Sequence, residues 1–595
     1  MAQKAILVAD DLQGPAAQVA KILEFFEIPW EQVGARSMGD VGSEAAAHVY
    51  CVLAPMPLIG SALMDRTFGA GLPPLLQRAE SIFLFGGDQS AATEALLRFV
   101  NNSAATKVVQ IQGREILCSV SAQSTAVCGP LSGLEVLVPV RETQLAMTSA
   151  SSDAHMDPLI STQEGCIFAA VDFQGTRCYL APCPTVIDIT RPVEKGYFDV
   201  TDYFFSAVPL VMYLRHTFAG VMLSPAENGA CLIVDDPVLR PQYGFVDFRR
   251  IAALGAEHNF TCNFAFIPWN WKRSRSSVVE LFKLHADCLS LSIHGCDHTA
   301  SEFSAESTHS INEQAKLANF RMKKHRRDTG LAHEPLMIFP HGAFSTTTPM
   351  VLKHNEFIAA VNTEVSPTDQ PSKTEIGDTW RMAILKYGDF AIYTRRYMFH
   401  GLCNLAFDVL LGKPCLIVAH HADFRNDGRE LMDFIDRLNS LHVLLTWRSL
   451  GDVIRRAYQQ RLLNDGTQQI RMFGNEIIVH NASPVSRHTV VQKVEHDPGG
   501  VDRVEVAAQQ VSFISDRALL RFEFDLGGRD SSLATVVFKD VYGDGQPKRH
   551  LKGRIKVAAR RYLCEFRDEA QARAPRLYEY ARKVRGRRTN VSEAA

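Results

Sequence analysis

Two adjacent aspartates, Asp235 and Asp236, close the apolar run 231–234, and two histidines four residues apart, His294 and His298, follow the run 289–293. Pro340 and His341 end the run 336–339, and His420 and His421 end the run 416–419, with Asp423 just beyond. Two imidazoles and one carboxylate form a ligand set for zinc or another first-row divalent ion, with positions left open for water and substrate. One helical turn would bring the rings of His294 and His298 to the same side. Of two neighbouring carboxylates, one can bind the metal while the other takes a proton from a metal-bound water, and a histidine from across the site can protonate a leaving group. Each cluster alone has an ordinary use as a strand end, a helix cap or a solvated surface. Their coincidence at the ends of apolar runs points to a mononuclear metal hydrolase.

Those runs belong to a regular series at 231–234, 262–267, 289–293, 336–339, 357–361, 390–393, 416–419 and 442–445. Most are separated by amphipathic stretches such as 246–257, 277–285, 311–324 and 429–438. Continuous apolar runs read as strands buried on both faces, and seven or eight strand–helix units read as a (β/α)7–8 barrel spanning 230–460. A barrel aims the C-terminal ends of its strands at one mouth, which is where the candidate residues fall.

The segment 225–455 resembles the polysaccharide deacetylase family, carbohydrate esterase family 4, in a divergent bacterial branch. Leu232-Ile-Val-Asp235-Asp236 is similar to the family's Thr-Phe-Asp-Asp motif, Ser292-Ile-His294-Gly-Cys-Asp-His298 to His-Ser/Thr-x-x-His, and Leu416-Ile-Val-Ala-His420-His421 to the late Leu-x-x-His motif. The resemblance implies Asp235 as catalytic base, with Asp236, His294 and His298 as metal ligands. It implies a histidine general acid, for which spacing favours His420, with His421 as the alternative. It also implies one divalent metal ion, most simply zinc, and hydrolysis of an N-acetyl group, less readily an O-acetyl group, on a carbohydrate. The family's Arg-x-Pro motif is matched only by Ile338-Phe339-Pro340, so the arginine that fixes the catalytic aspartate is missing there; His341 and Arg381 are substitutes to test. Trp269 and Trp271 follow the second strand and could stack on a sugar ring, while Pro340 and His341 fall on the substrate side. Two other readings keep the same barrel: a catalytically silent glycan-binding or assembly protein, and a glycoside hydrolase using Asp235 and Asp423 as paired carboxylates.

On either side of the barrel the pattern changes. Residues 1–184 read as a doubly wound α/β accessory domain, flavodoxin-like or amidotransferase-like, with Asp10-Asp11 and Gly86-Gly87-Asp88-Gln89-Ser90 as polar turns after strands. Residues 185–229 read as a connector, and 468–540 as a small antiparallel β-sandwich. The net charge of −2 divides unevenly. Residues 1–547 carry 48 basic and 60 acidic side chains, against 15 and 5 in residues 548–595. This basic tail reads as an amphipathic helix that packs on the acidic body or, over 548–588, contacts a partner protein or a membrane surface. No aromatic interleaving or binding fold accompanies it, which argues against nucleic acid. The thirteen cysteines are scattered singly, as reduced buried thiols would be. The first ten residues read as a strand rather than a secretion signal, giving an expected cytoplasmic location, peripheral to a membrane if the tail binds lipid. Composition and spacing leave the oligomeric state open.

Overall fold

The computed structural model describes residues 3–39, 49–67, 72–148, 156–299, 302–305, 307–371, 373–543 and 551–574. At its centre is a nearly closed parallel barrel. We number its strands β1 (Gly229–Asp235), β2 (Cys262–Phe266), β3 (Leu289–His294), β4 (Leu336–Ile338), β5 (Ala359–Asn362), β6 (392–397) and β7 (Cys415–Ala419). All seven residues of β1 are buried, as are all five of β2 and of β7, which accounts for their unbroken apolar sequences. The circuit is completed through β6. Ile392–Thr394 pairs with β5, Arg396–Tyr397 pairs with β7, and Arg395 lies at the changeover. The run 442–445, expected as an eighth strand, is not one. Leu444 is exposed, and only Thr446–Trp447 pairs, with the first two residues of β1.

The N-terminal residues form a mixed sheet. Four parallel strands in the order Trp30–Val33, Lys4–Val8, Tyr50–Pro55, Ser81–Phe85 give a doubly wound half, and the parallel strand Thr176–Leu180 then leads into antiparallel hairpins. The polar turns here serve local structure. Asp10 accepts the Ala35 N–H, and the Ser90 hydroxyl caps the helix Ala91–Val100 by accepting the Thr93 N–H. The expected connector holds the helix Phe204–Thr217, whose residues from Val208 to Leu214 are all buried. It packs against the N-terminal sheet, with the Tyr213 hydroxyl 2.9 Å from that of Ser81, and one hydrophobic core runs from that sheet into the barrel.

Beyond the barrel, a six-stranded and a four-stranded sheet share a core built on Ile470, Val491, Val504 and Phe522. The sandwich is not wholly antiparallel: Gln468–Met472 runs parallel to Arg487–Val494. The C-terminal helix, Leu551–Arg573, crosses back over the mouth of the barrel. Among the described residues, no helix is long and apolar enough to cross a membrane.

Candidate metal centre

Strand ends and two tight turns assemble the site. Asp235 ends β1 inside the barrel, and Asp236 follows with φ +79°, a left-handed conformation that turns its side chain back toward β3. Asp236 Oδ1 lies 3.0 Å from His298 Nε2 and 3.5 Å from His294 Nε2. One ligand atom from each of these three residues lies within 4.8 Å of the others. His294 donates its Nδ1–H to the Ile338 carbonyl at 3.1 Å, which fixes the ring and leaves Nε2 as a lone-pair donor facing the cavity.

His298 arrives by a different route from the helical turn its spacing suggested. Residues 295–298 form a turn in which Gly295 and His298 both have φ +60°. The buried carboxylate of Glu302 gathers this turn, accepting the N–H groups of Cys296, Asp297 and His298 at 2.9, 3.0 and 3.1 Å. Burial raises the Glu302 pKa from its ordinary value despite these donors. Gly295 is required twice over, by its positive φ and because a Cβ there would run into Glu302 and Pro340.

Asp235 is 4% exposed and accepts a bidentate pair from Arg395, Nη1 to Oδ1 and Nη2 to Oδ2, both 2.7 Å. Burial alone would raise its pKa; the Arg395 guanidinium and neighbouring His294 overcome this and hold the carboxyl below its ordinary value. The same balance acts on Asp236, where burial is outweighed by the two imidazoles and the pKa falls well below the usual range. For His294, burial works against protonation, but Asp235 and Asp236 prevail and raise its pKa.

Arg395 therefore does for Asp235 what the absent Arg-x-Pro arginine was expected to do. His341 and Arg381 do not. Arg381 lies over the ring of Phe25, and His341, with φ +56°, stands beside His298. The signal for Arg395 was present in the sequence as a cation two residues beyond the apolar run 390–393, at a strand end like the other candidates.

A cavity of about 330 Å³ is lined by Asp235, Asp236, His294, His298, His341, Arg395, Tyr397 and His420, and by Arg560, Arg561, Arg567 and Asp568 from the C-terminal helix. His420 stacks on Tyr397, and its backbone N–H is held by the Asp423 carboxylate at 2.7 Å. His421 points elsewhere: it is buried against Phe245, with Nε2 3.5 Å from Asp568. Asp423 is thus a turn cap and does not line the cavity, so it does not form a carboxylate pair with Asp235 across it.

The expected aromatic platform is also displaced. Trp269 packs against Tyr562 of the C-terminal helix and carries the Arg273 guanidinium over its ring, while Trp271 lies beneath Lys272 and Lys324. Pro340 sits under Gly295, and neither tryptophan nor Pro340 lines the cavity. Trp269 is taken up in holding the helix down, together with two polar contacts. Glu565 forms an ion pair with Arg273 at 2.7 Å, and Asp568 accepts the Tyr243 hydroxyl at 2.7 Å.

No family model matches the chain, and no curated protein matches it. Solved structures do. A Mycobacterium smegmatis protein assigned as a polysaccharide deacetylase is 12% identical, covering 38% of this chain and 90% of its own at a TM-score of 0.28. A family 4 carbohydrate esterase from Streptomyces lividans is 12% identical over 36% of this chain and 88% of its own, at 0.22. The Bc1960 peptidoglycan N-acetylglucosamine deacetylase is 13% identical over 38% and 88%, at 0.24.

The donor set fits a divalent metal ion on its own chemistry. Among the described residues, Asp236 Oδ1 is buried without a hydrogen-bond partner, although two imidazole nitrogens face it. Such an orphaned oxygen facing two Nε2 atoms is accounted for by a shared cation.

Proposed function

We propose that the chain is a metal-dependent hydrolase that removes an acetyl group, from nitrogen in preference to oxygen, on a carbohydrate. The observation that carries this reading is the convergence of Asp236, His294 and His298 beside an arginine-clamped Asp235, with His420 on the same cavity. Asp236, His294 and His298 would hold the ion, zinc by the preference of an imidazole–carboxylate set. When bound, the ion supplies Lewis acidity toward the acetyl carbonyl and toward a water.

The protein's own groups divide the remaining work. Asp235, kept ionised by Arg395, accepts a proton from the attacking water at its carboxylate. Arg395 orients that carboxylate and stays protonated throughout. His420, positioned by Tyr397 and by Asp423 through its backbone, delivers a proton to the departing amine or alkoxide. His341 lines the opposite wall, where burial and the neighbouring His298 and Arg560 lower its pKa and favour the neutral ring.

The test is acetate release from N-acetylated sugars by purified, zinc-loaded protein. Asp235→Asn should lower kcat by about 10²- to 10⁴-fold while zinc stoichiometry stays the same. Full metal occupancy with no acetate released from any acetylated sugar would sink the proposal.

A further inference from the structure

The C-terminal helix brings into the cavity a buried guanidinium that makes no ion pair among the described residues. Arg561 is 2% exposed, lines the same cavity as Asp236, His294 and His298, and its Nε and Nη2 meet no hydrogen-bond partner among the described residues. A guanidinium cannot shed its proton at accessible pH, so a buried one without a counter-ion is costly and calls for an anion. The buried carboxylates nearby are committed elsewhere: Asp235 uses both oxygens on Arg395, Asp236 faces the two imidazoles, Glu565 pairs with Arg273, and Asp568 is shared by Tyr243, His421 and Arg567. Glu364 also lines the cavity, but it is exposed to solvent. Beside it, Arg560 Nη2 lies 3.4 Å from His341 Nε2, adding a second cation to the same wall.

We propose that the substrate carries an oxyanionic group, phosphoryl or carboxylate, which Arg561 receives with Arg560 on the wall built by the C-terminal helix. The inference rests on the hydrolase reading only in calling the ligand a substrate. A planar fork of N–H donors matches both groups, and a cavity of about 330 Å³ is at the small end for ligand sites, which suits one charged sugar unit beneath the helix.

Titration calorimetry of the full-length, zinc-loaded protein with inorganic phosphate and with acetate tests the assignment. Arg561→Met should weaken at least one anion by at least about tenfold with zinc content unchanged; a response of phosphate alone marks a phosphoryl group, and of acetate alone a carboxylate. Arg561→Lys, which keeps the charge and loses the fork, should bind more tightly than Arg561→Met and more weakly than wild type. Without added anion, Arg561→Met should keep or raise Tm, because it removes an unpaired buried charge; a fall in Tm marks a structural role and overturns the proposal. Equal affinities in wild type and Arg561→Met, or no wild-type binding of either anion at millimolar concentration, also overturn it. Absence of anion binding by the wild type, with acetate release intact, would defeat this inference alone, whereas Arg561-dependent anion binding without acetate release would defeat only the hydrolase reading.

Discussion

Asp235 and Arg395 show how one buried pair sets the acid–base character of the site. Removing the cation leaves a carboxylate 4% exposed without its bidentate partner, a change expected to cost about 3–5 kcal/mol of stability. Arg395 lowers the Asp235 pKa, so Arg395→Met should raise it. Because the base of the proposed hydrolysis must be ionised, the acidic limb of the pH–rate profile should then move to higher pH, by about a unit or more. A profile that drops in amplitude without moving would show that Arg395 only holds the fold. His420 and His421 make a related point: adjacent in sequence, they face a cavity and a helix contact respectively, because successive residues leaving a strand point opposite ways.

Among the elements, the turn 295–298 and the C-terminal helix have testable roles. Gly295→Ala would force a Cβ into Glu302 and Pro340 at φ +60°. We expect a loss of about 1–3 kcal/mol, seen as a lower Tm, together with weaker zinc binding, since the same turn carries His298. Glu565→Ala removes the Arg273 ion pair, and amide exchange across residues 555–573 should speed up by about 10- to 100-fold, with little change in the barrel strands. The strand ends at Asp235, His294 and His420 were legible in the sequence because buried parallel strands are apolar throughout and stop abruptly at a polar residue. The turn was not, since a four-residue spacing fits either a helical turn or a pinched loop and only the Glu302 contacts choose between them. The docking of the helix was also out of reach: amphipathicity shows that a helix has a face to bury but not which surface receives it. Trp269 was misplaced for the same reason, as its partner Tyr562 lies almost 300 residues away in the chain.

For the molecule as a whole, its thiols set a limit at high pH. All thirteen cysteines are free and ten are buried. Burial pushes Cys118, Cys128, Cys178 and Cys231 up to about 12, whereas an unfolded cysteine ionises near 8.5, about the usual value. Above that pH the unfolded chain binds fewer protons than the folded one, so stability falls as pH rises from about 8.5 toward 12. Denaturant midpoints measured across this range under reducing conditions should decline; a flat line would contradict the burial of these thiols. The continuous core between the N-terminal sheet and the barrel further predicts that these parts unfold in a single transition.

The six residues 392–397 join the two edges of the barrel and carry the guanidinium that grips Asp235. Closure of the cylinder and the gripping of Asp235 therefore depend on the same six residues. A chain caught with this clasp open would lose its roundness and the counter-ion of Asp235 together, so on the proposed function partly assembled forms of the protein should hydrolyse nothing by accident.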